Sequence, residues 1–492
     1  MSATTGRRPH IVIFNPDQWR TDVIGHMGNP AAVTPRVDEF AARDGVSFRW
    51  AFCQNPVCTP SRCSFMTGWY PHTAGHRTMV HMLRPHEPNL LRTLRREGYF
   101  VWWGGKNDLV PGQGSFDDVA DLKYRHGPVD ADPHRLIMEQ KSPESDGYYS
   151  MFWGKLQPPE GSDRWHSADQ AYVDGACEFL RNRPTDQPLL VYLPLQYPHP
   201  PYAVEEPFFS MIDRTALPPR APTPPLWRGK PSLLAGIAER QRLQGWTEER
   251  WTELRAVYYG MCTRVDRQFG QLCDTLRETG LWDDTAVFLF SDHGDFTGDY
   301  GLVEKTQNTF EDCLTRVPLL VKPPAGVAVA PRISDALVEL VDVPATIEAL
   351  AGIAPGHTHF GRSLLPLLAG QTDEHRDAVF CEGGRLKGET HCMEGTSPSS
   401  RDPKALYWPR VGLQQRETGE HSKATMCRTR RWKYVRRMYE QDELYDLVGD
   451  PQELDNRVAD PALSGQLATM KERMLSWYQE TCDAVPHEVD KR

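Results

Sequence analysis

The sequence predicts an α/β protein with a large, mainly parallel β-sheet and a second, smaller unit of sheet and helix. Short apolar runs alternate with helical patterns along most of the 492 residues, which is typical of parallel strands joined by covering helices. A chain of this length can fill one large core and one smaller one. After about Ala378 the sequence becomes polar and rich in turn-forming residues, so we expect a main domain of residues 1–378 and a C-terminal subdomain of residues 379–492.

Short apolar runs mark the expected strands of the main domain. They are residues 10–14, 99–103, 189–193, 285–290 and 318–321. Helices are expected where a capping residue precedes a helical pattern, because its side chain can accept a hydrogen bond from an unpaired N–H group of the first turn. Thr34 precedes such a pattern over residues 35–43, and Asn89 precedes another over residues 90–97. A longer helical pattern covers residues 248–278.

The C-terminal subdomain is expected to contain a small sheet covered by a helix. Residues 433–438 and 443–447 have the short alternating pattern of antiparallel strands. Residues 462–480 have the spacing of an amphipathic helix. Together they predict an α+β unit with a short antiparallel sheet.

The composition is that of a soluble globular protein and argues against two classes of partner. Hydrophobic residues make up 39% and charged residues 25%, and the net charge of −10 includes no long basic run that could bind nucleic acid. No run approaches the roughly 20 apolar residues of a membrane span, and we see no apolar core of a signal peptide. Because the eleven cysteines are scattered, we expect mostly reduced thiols and a cytoplasmic protein. Self-association into a homo-oligomer stays open.

Polar side chains follow four of the predicted strands at the point where each strand ends. In chain order they are Asp17, then Lys106 and Asp108, then His199, and finally Asp292 with His293. Ligands of open parallel sheets bind outside the carboxyl ends of the strands. If the strands are parallel, these groups therefore gather at one edge of the sheet.

Three of these residues form a candidate metal site. Asp17 and Asp292 offer carboxylate oxygens, and His293 offers an imidazole. Oxygen-rich sites suit hard divalent cations, so Ca²⁺ is the expected ion, with Mg²⁺ and Mn²⁺ as alternatives. Such an ion would screen an anionic substrate and activate a hydroxyl group as a nucleophile.

The most specific motif lies in residues 55–68, which read NPVCTPSRCSFMTG. Cys58 begins C-T-P-S-R, whereas Cys53 and Cys63 lack proline and arginine at the same offsets. The motif resembles the C-x-P-S-R signature of the formylglycine-dependent sulfatases, a family within the alkaline-phosphatase-like superfamily. The likeness extends over residues 34–72, over residues 291–324, and over the C-terminal segments RTRRWKYVRR and ELYDLVGDPQELDN.

This resemblance implies a fold, a modification and a reaction. The fold would be an alkaline-phosphatase-like α/β/α sandwich, and a formylglycine-generating enzyme would oxidise Cys58 to Cα-formylglycine. One hydroxyl of the aldehyde hydrate would attack sulfur and give a covalent sulfo-enzyme intermediate. Loss of a proton from the second hydroxyl would then expel sulfate. Pro60 can open a helix that places residue 58 at the positive end of the helix dipole.

The resemblance also assigns roles to individual residues. Arg62 would hold the formylglycine hydroxyl, while Lys106 and Lys305 would bind the sulfate oxygens. His199 would contact the bridging oxygen and act as the candidate general acid. The metal would be held by residue 58 itself together with Asp17, Gln18, Asp292 and His293.

The sequence departs from the usual family pattern in three places. The pairs Asp17-Gln18 and Asp292-His293 look like a branch that includes phosphonate monoester hydrolases and some sulfatases. The family's Lys-x-His appears here as a lysine followed by Asn107 and Asp108, so the base for the second hydroxyl stays open. Further candidates for contact with the substrate are His76, Arg77, His81 and Asp108.

The expected function is therefore hydrolysis of a small-molecule or saccharide sulfate monoester. Two alternatives stay open: a hydrolase of phosphonate monoesters or phosphate diesters on the same fold, and an inactive binding homologue. A two-zinc phosphatase is disfavoured, because it would need serine or threonine as the nucleophile and more metal ligands.

Overall fold

The computed structural model describes residues 8–112, 116–162, 165–184, 186–394, 402–415 and 419–487. Its strands are β1 (His10–Asp17), β2 (Val46–Phe52), β3 (Phe100–Gly104), β4 (Leu122–Tyr124), β5 (Phe152–Lys155), β6 (Leu189–Pro198), β7 (Tyr202–Val204), β8 (Thr285–Phe290), β9 (Arg316–Val317), β10 (Leu319–Lys322), β11 (Arg332–Glu339), β12 (Val379–Gly383), β13 (Ala424–Arg428), β14 (Trp432–Arg437) and β15 (Glu443–Asp446). Its α-helices are α1 (Pro35–Arg43), α2 (Cys58–Thr67), α3 (Pro71–Ala74), α4 (Leu90–Arg96), α5 (Pro133–Gln140), α6 (Ala168–Arg181), α7 (Phe208–Met211), α8 (Ser232–Gln241), α9 (Glu248–Glu278), α10 (Asp312–Thr315), α11 (Asp342–Ala351), α12 (Leu365–Leu368), α13 (Trp408–Gln414) and α14 (Ser464–Thr481).

A mixed, mostly parallel sheet forms the centre of the molecule. Its strands lie in the order β11-β2-β10-β8-β1-β6-β3-β4, and β9 pairs with β2. β1 is parallel to both of its neighbours, β6 and β8, so the three strands end at the same edge of the sheet. β10 runs antiparallel between β2 and β8. The predicted α/β class with a mixed, mostly parallel sheet is confirmed.

The alternation of side chains along β1 explains why both faces of the sheet are covered. Val12 and Phe14 belong to a core that includes residues of α6 and α9. Ile11 and Ile13 belong to the opposite core, which includes residues of α2, α4 and α11. Since successive side chains point to opposite faces, a strand buried on both sides has an apolar run without polar gaps. The result is the expected α/β/α sandwich.

The predicted elements agree closely with the structure, with two informative differences. Asn89 caps α4 by accepting a hydrogen bond from the Leu91 N–H group, and α9 is one continuous helix. Thr34 precedes α1 without capping it, because its hydroxyl oxygen accepts from the Gly25 N–H group instead. The sequence analysis missed β2 and β11, in which polar residues interrupt the apolar pattern.

The C-terminal sheet is antiparallel in the order β12-β13-β14-β15, and α14 packs against it. The Trp477 ring of α14 stacks on Phe380 with 4.4 Å between ring centroids. It also makes an edge-to-face contact with Tyr70, which belongs to the main domain. The small antiparallel sheet is confirmed, while the division at residues 378 and 379 stays a prediction.

The cysteines are unpaired. Within the described ranges, no helix has the length and apolar character needed to cross a membrane.

Candidate active site

The carboxyl ends of β1 and β8 place the predicted metal ligands side by side. Asp17 is the last residue of β1, and Asp292 follows β8 after a single intervening residue. Both carboxylates are fully buried. Gln18 adopts a φ of 70°, a left-handed conformation that is costly for a residue with a Cβ atom and is concentrated at functional sites. Its backbone N–H group donates to Asp292 Oδ1 at 3.1 Å, which connects the two strand ends.

Cys58 lies at the centre of this group, at the first residue of α2. Its Sγ atom is 3.2 Å from His293 Nε2, 3.5 Å from Asp17 Oδ1 and 3.6 Å from Lys106 Nζ. Ligand atoms of Asp17, Cys58, Asp292 and His293 all lie within 4.8 Å of one another. Because Cys58 begins the helix, negative charge at this position is favoured by the helix dipole. The helix begins two residues before Pro60, whose missing N–H group falls in the unpaired first turn.

The environment of Cys58 favours the protonated thiol. Burial and the nearby Asp17 carboxylate raise the pKa of Cys58 well above its ordinary value, although Lys106 and Lys305 oppose the shift. A thiol must lose its proton before it can attack an electrophile. The unmodified Cys58 side chain would therefore stay protonated and would attack an electrophile slowly.

Arg62 neutralises the two buried carboxylates. Its guanidinium donates from Nε to Asp292 Oδ2 at 2.9 Å and from Nη2 to Asp17 Oδ2 at 3.0 Å, and all three side chains are inaccessible to solvent. Burial alone would raise the pKa of Asp17. Nearby positive groups outweigh burial and hold this pKa well below its usual range; they are Lys106, Lys305 and Arg62.

The donor set fits a hard divalent cation. His293 Nδ1 donates to the Gly294 carbonyl oxygen at 2.9 Å, which leaves Nε2 with a free lone pair, 3.5 Å from Asp17 Oδ1. Burial lowers the pKa of His293, so its ring is neutral near pH 7, as a metal ligand must be. The amide oxygen of Gln18 accepts from Lys305 at 2.6 Å. Two carboxylates, one amide oxygen and one imidazole are ligands that Ca²⁺, Mg²⁺ and Mn²⁺ accept.

The remaining predicted catalytic side chains surround this centre. Lys106 Nζ lies 2.7 Å from Asp17 Oδ2 and 2.9 Å from Asp108 Oδ2. His199 is buried, and its Nδ1 donates to the Pro200 carbonyl oxygen at 2.6 Å. Burial lowers the pKa of His199 well below its ordinary value, and Lys305 and Lys106 lower it further. The neutral ring therefore carries its proton on Nδ1 and has a free lone pair on Nε2.

Three residues predicted to contact the substrate have other partners. His76 Nδ1 donates to the His81 carbonyl oxygen at 2.9 Å, and Nε2 lies 3.1 Å from Glu87. Arg77 donates to Glu389 Oε1 at 2.9 Å, and the His81 ring contacts the Thr78 hydroxyl. Among the described residues, no hydrogen bond or ion pair joins these three side chains to the cluster around Cys58. A role in substrate contact stays a prediction for them.

The structure adds positioning residues that the sequence analysis did not single out. Asp295 accepts hydrogen bonds from the Gln18 amide and from the Tyr202 hydroxyl, which fixes the orientation of the Gln18 side chain. Burial raises the pKa of Asp295 to about 6. Glu304 forms an ion pair of 3.1 Å with Lys305. Asp295 lies in the same SDHGD string that drew attention to Asp292, so the string itself was the available signal.

Removal of the Arg62 charge is expected to destabilise the fold strongly. Arg62→Met would leave two buried carboxylates without their counter-ion, which costs about 3–5 kcal/mol of unfolding free energy. The deficit should shrink when Ca²⁺ is added, since a divalent cation neutralises the same carboxylates. Urea denaturation with and without Ca²⁺ measures both effects. Arg49→Met is the matched control, because Arg49 forms an exposed pair with Asp335 that contributes no more than about 1 kcal/mol. Equal and small losses of unfolding free energy in Arg62→Met and Arg49→Met would contradict the role of Arg62 as the counter-ion.

Comparison with known proteins agrees with the geometry. The family model described as Sulfatase matches residues 9–353. The multifunctional alkaline phosphatase superfamily protein PehA of Trinickia caryophylli is 26% identical over 515 residues, with 96% of this chain and 95% of that protein covered. Choline-sulfatase of Rhizobium meliloti is 26% identical over 517 residues, with 99% of this chain and 90% of that protein covered.

A solved structure with the same fold is the phosphonate monoester hydrolase of Agrobacterium radiobacter. It superposes with a TM-score of 0.74 at 23% identity and covers 98% of this chain and 100% of its own. At this identity the likeness establishes the fold alone. The family model, by contrast, spans more than half of the chain and includes the C-T-P-S-R motif. The chain therefore belongs to the sulfatase family and is an enzyme of the sulfuric ester hydrolase class.

Proposed function

We propose that this protein hydrolyses a sulfate monoester of an aryl or carbohydrate alcohol, with residue 58 acting as the nucleophile in its formylglycine form. The observation that carries the proposal is the position of Cys58. It begins a buried helix, and its Sγ atom lies within 3.6 Å of a ligand imidazole, a ligand carboxylate and a lysine. The raised pKa of the thiol supports the need for conversion, because the unmodified side chain would stay protonated.

Two groups would complete the site. A formylglycine hydrate at residue 58 supplies a hydroxyl nucleophile and a second hydroxyl whose deprotonation releases the sulfate. A divalent cation, Ca²⁺ by the hardness of the ligands, supplies charge neutralisation and lowers the pKa of a bound hydroxyl. Asp17, Gln18, Asp292 and His293 would hold it. Without the cation the ligand carboxylates Asp17 and Asp292 are balanced by Arg62 and Lys106, so the cation gives the centre a net positive charge that attracts an anionic ester.

The two lysines are the proposed sulfate-binding groups. Lys106 Nζ lies 3.6 Å from the Cys58 Sγ atom, and the exposed fraction of its side chain is 26%. It is therefore close to the proposed nucleophile and also accessible to solvent. Lys305 is held against Glu304 and Gln18. Both carry a positive charge at neutral pH, since neighbouring acidic groups raise the pKa of each. Fixed ammonium groups stabilise the negative charge that develops on sulfuryl oxygens in the transition state.

His199 is the proposed general acid for the leaving alcohol. In the neutral ring Nδ1 keeps its proton in the bond to Pro200, so Nε2 must take up a proton before it can donate one. Burial and the two lysines oppose this protonation, whereas Asp17 favours it. An anionic substrate near the ring would also favour protonation of His199. We therefore expect proton uptake by His199 to accompany substrate binding.

A phosphoryl hydrolase is the second candidate, because the pairs Asp17-Gln18 and Asp292-His293 resemble those of a branch that includes phosphonate monoester hydrolases. Gln18 replaces an acidic ligand and thus lowers the negative charge around the cation. Sulfate monoesters, phosphonate monoesters and phosphate diesters all carry a single negative charge, so charge alone does not separate them. The C-T-P-S-R form of the motif supports sulfate as the first choice.

Conversion of Cys58 can be measured directly. After co-expression with a formylglycine-generating enzyme, the tryptic peptide of residues 50–62 should have the mass expected for exchange of the thiol for an aldehyde oxygen. Cys53 lies in the same peptide and should keep its thiol, which makes it an internal control. Cys58→Ser should lower turnover roughly 10³-fold or more, because serine has a single hydroxyl. An unmodified peptide, with the maturation enzyme active on another substrate, would refute the mechanism and favour a binding protein.

The substrate class can be decided by side-by-side rates. We expect kcat/KM to be highest for an aryl sulfate when it is compared with a phosphate diester and a phosphonate monoester that share the same leaving group. A shared leaving group removes differences in leaving-group chemistry, so the ratio reports on the transferred group alone. A preference of tenfold or more for either phosphorus ester, about 1.4 kcal/mol in transition-state binding, would overturn the assignment to sulfate.

The role of His199 predicts a dependence on the leaving group. His199→Asn should lower kcat/KM by roughly 10²–10⁴-fold for an alkyl sulfate but far less for a nitrophenyl sulfate, whose phenolate leaves without a proton. Because the folded pKa is lowered, the protonated ring is lost at a lower pH than for an exposed histidine. The wild-type rate on alkyl sulfates should therefore rise as the pH falls. The pH profiles of wild type and His199→Asn test this. An equal loss on both substrates would indicate that His199 only positions the substrate.

A further inference from the structure

A second cluster of metal-ligating side chains lies outside the catalytic centre, in the segment that follows β12. Glu389, His391 and Cys392 fall within four consecutive residues, and the last two belong to a short 3₁₀ turn. One ligand atom of each lies within 4.8 Å of the others. A carboxylate, an imidazole and a thiol at such distances can converge on one ion after small side-chain rotations.

A fourth ligand comes from another part of the chain. The His81 ring lies 6.1 Å from the His391 ring, centroid to centroid, at an angle of 79°. His81 Nδ1 lies 3.1 Å from the Thr78 hydroxyl. When Nδ1 donates its proton to that oxygen, Nε2 keeps a lone pair, for which the described part of the chain provides no hydrogen-bond partner. Metal-ligating histidines usually have their second nitrogen fixed in this way.

We propose that His81, Glu389, His391 and Cys392 form a zinc site. Two imidazoles, one thiolate and one carboxylate are the borderline-soft set that Zn²⁺ binds in tetrahedral geometry. The set differs from the catalytic ligands, which are mostly oxygen and suit harder cations. Cys392 is buried, whereas His391 is exposed and gives the ion a path from solvent. Binding would replace the proton of the Cys392 thiol with the ion, so affinity rises with pH.

Neighbouring groups hold the proposed ligands in place. Arg77 Nη2 donates to both oxygens of Glu389, at 2.9 and 3.0 Å, and the Leu386 N–H group donates to Oε2 at 2.7 Å. A carboxylate oxygen has two lone-pair positions, so these bonds leave room for a metal bond. Such outer contacts orient a ligand before the ion arrives and reduce the entropy lost on binding.

The site would anchor the segment after β12 to the loop after α3, near the catalytic centre. Glu394, two residues beyond Cys392, accepts from Arg410 at 3.0 Å. Arg410 also lies 3.6 Å from Glu304, the partner of Lys305. Zinc would thus hold one end of a chain of ion pairs that reaches a proposed sulfate-binding lysine. Its role would be structural, since the ion would not contact the reacting groups at residue 58.

The experiment counts zinc in the full-length protein. Protein stripped with chelator is incubated with Zn²⁺, desalted and examined by elemental mass spectrometry. Wild type should carry one zinc per chain more than the variant His391→Ala/Cys392→Ser. The matched control is His86→Ala/Cys482→Ser, which removes an exposed histidine and an exposed cysteine elsewhere and should bind as much zinc as wild type. Equal zinc content in wild type and the His391/Cys392 variant would overturn the proposal.

Cobalt provides a second readout that does not depend on counting. In a Cys58→Ser background, Co²⁺ should give a thiolate-to-metal charge-transfer absorption that disappears in Cys392→Ser. The background removes the thiol of the catalytic centre, so the band reports on the second site. A band that survives Cys392→Ser, or no band at all, would contradict the site. Thermal melting confirms that each variant is folded, and turnover is measured separately, so failure of the proposed sulfatase reaction leaves this test intact.

Discussion

The arrangement of the active site depends on one buried guanidinium. Asp17 and Asp292 lie side by side without access to solvent, and two buried carboxylates without a counter-ion would be costly. Arg62 bonds to both of them and balances their negative charge. It lies one turn after residue 58 on the same helix. The helix that presents the proposed nucleophile therefore also carries the charge that balances the proposed metal ligands.

The same linkage fits the complete burial of α2. All of its residues from Cys58 to Thr67 are inaccessible or nearly so. Ser61 donates to the Asp292 backbone carbonyl oxygen at 2.6 Å, which attaches the helix to the end of β8. Burial makes each electrostatic contact stronger than it would be in water, but it also makes an unpaired charge more costly. The C-T-P-S-R motif thus serves the fold of the site as well as its chemistry.

The lysines and the metal ligands form one connected system. Lys106 bonds to Asp17, and Lys305 bonds to Gln18, so two proposed sulfate-binding groups contact two proposed metal ligands. Cation binding and the orientation of the lysines are therefore coupled. Asp108, which stands where the family usually has a histidine, pairs with Lys106. Its effect on the reaction would be exerted through that lysine.

The sequence by itself determined the class of fold, most central elements and the residues that cluster around Cys58. Apolar runs without polar gaps predicted β1, β6 and β8, because the middle of a strand buried on both faces is lined by apolar side chains. The motif at Cys58 and the polar residues after these strands identified the groups that meet at one edge. Strands β2 and β11 escaped prediction, since packing overrides their mixed composition.

Tertiary structure decided which polar residues belong together. His76, Arg77 and His81 follow the helix of residue 58 closely in sequence, and their side chains pair with Glu87, Glu389 and Thr78. Side chains far apart in sequence are joined by long-range contacts, which local patterns do not encode. Gln18 shows the same limit: its amide is oriented by Asp295, a partner 277 positions away. Composition and spacing supply the groups, whereas the crossing of strands and helices sets their distances and therefore their chemistry.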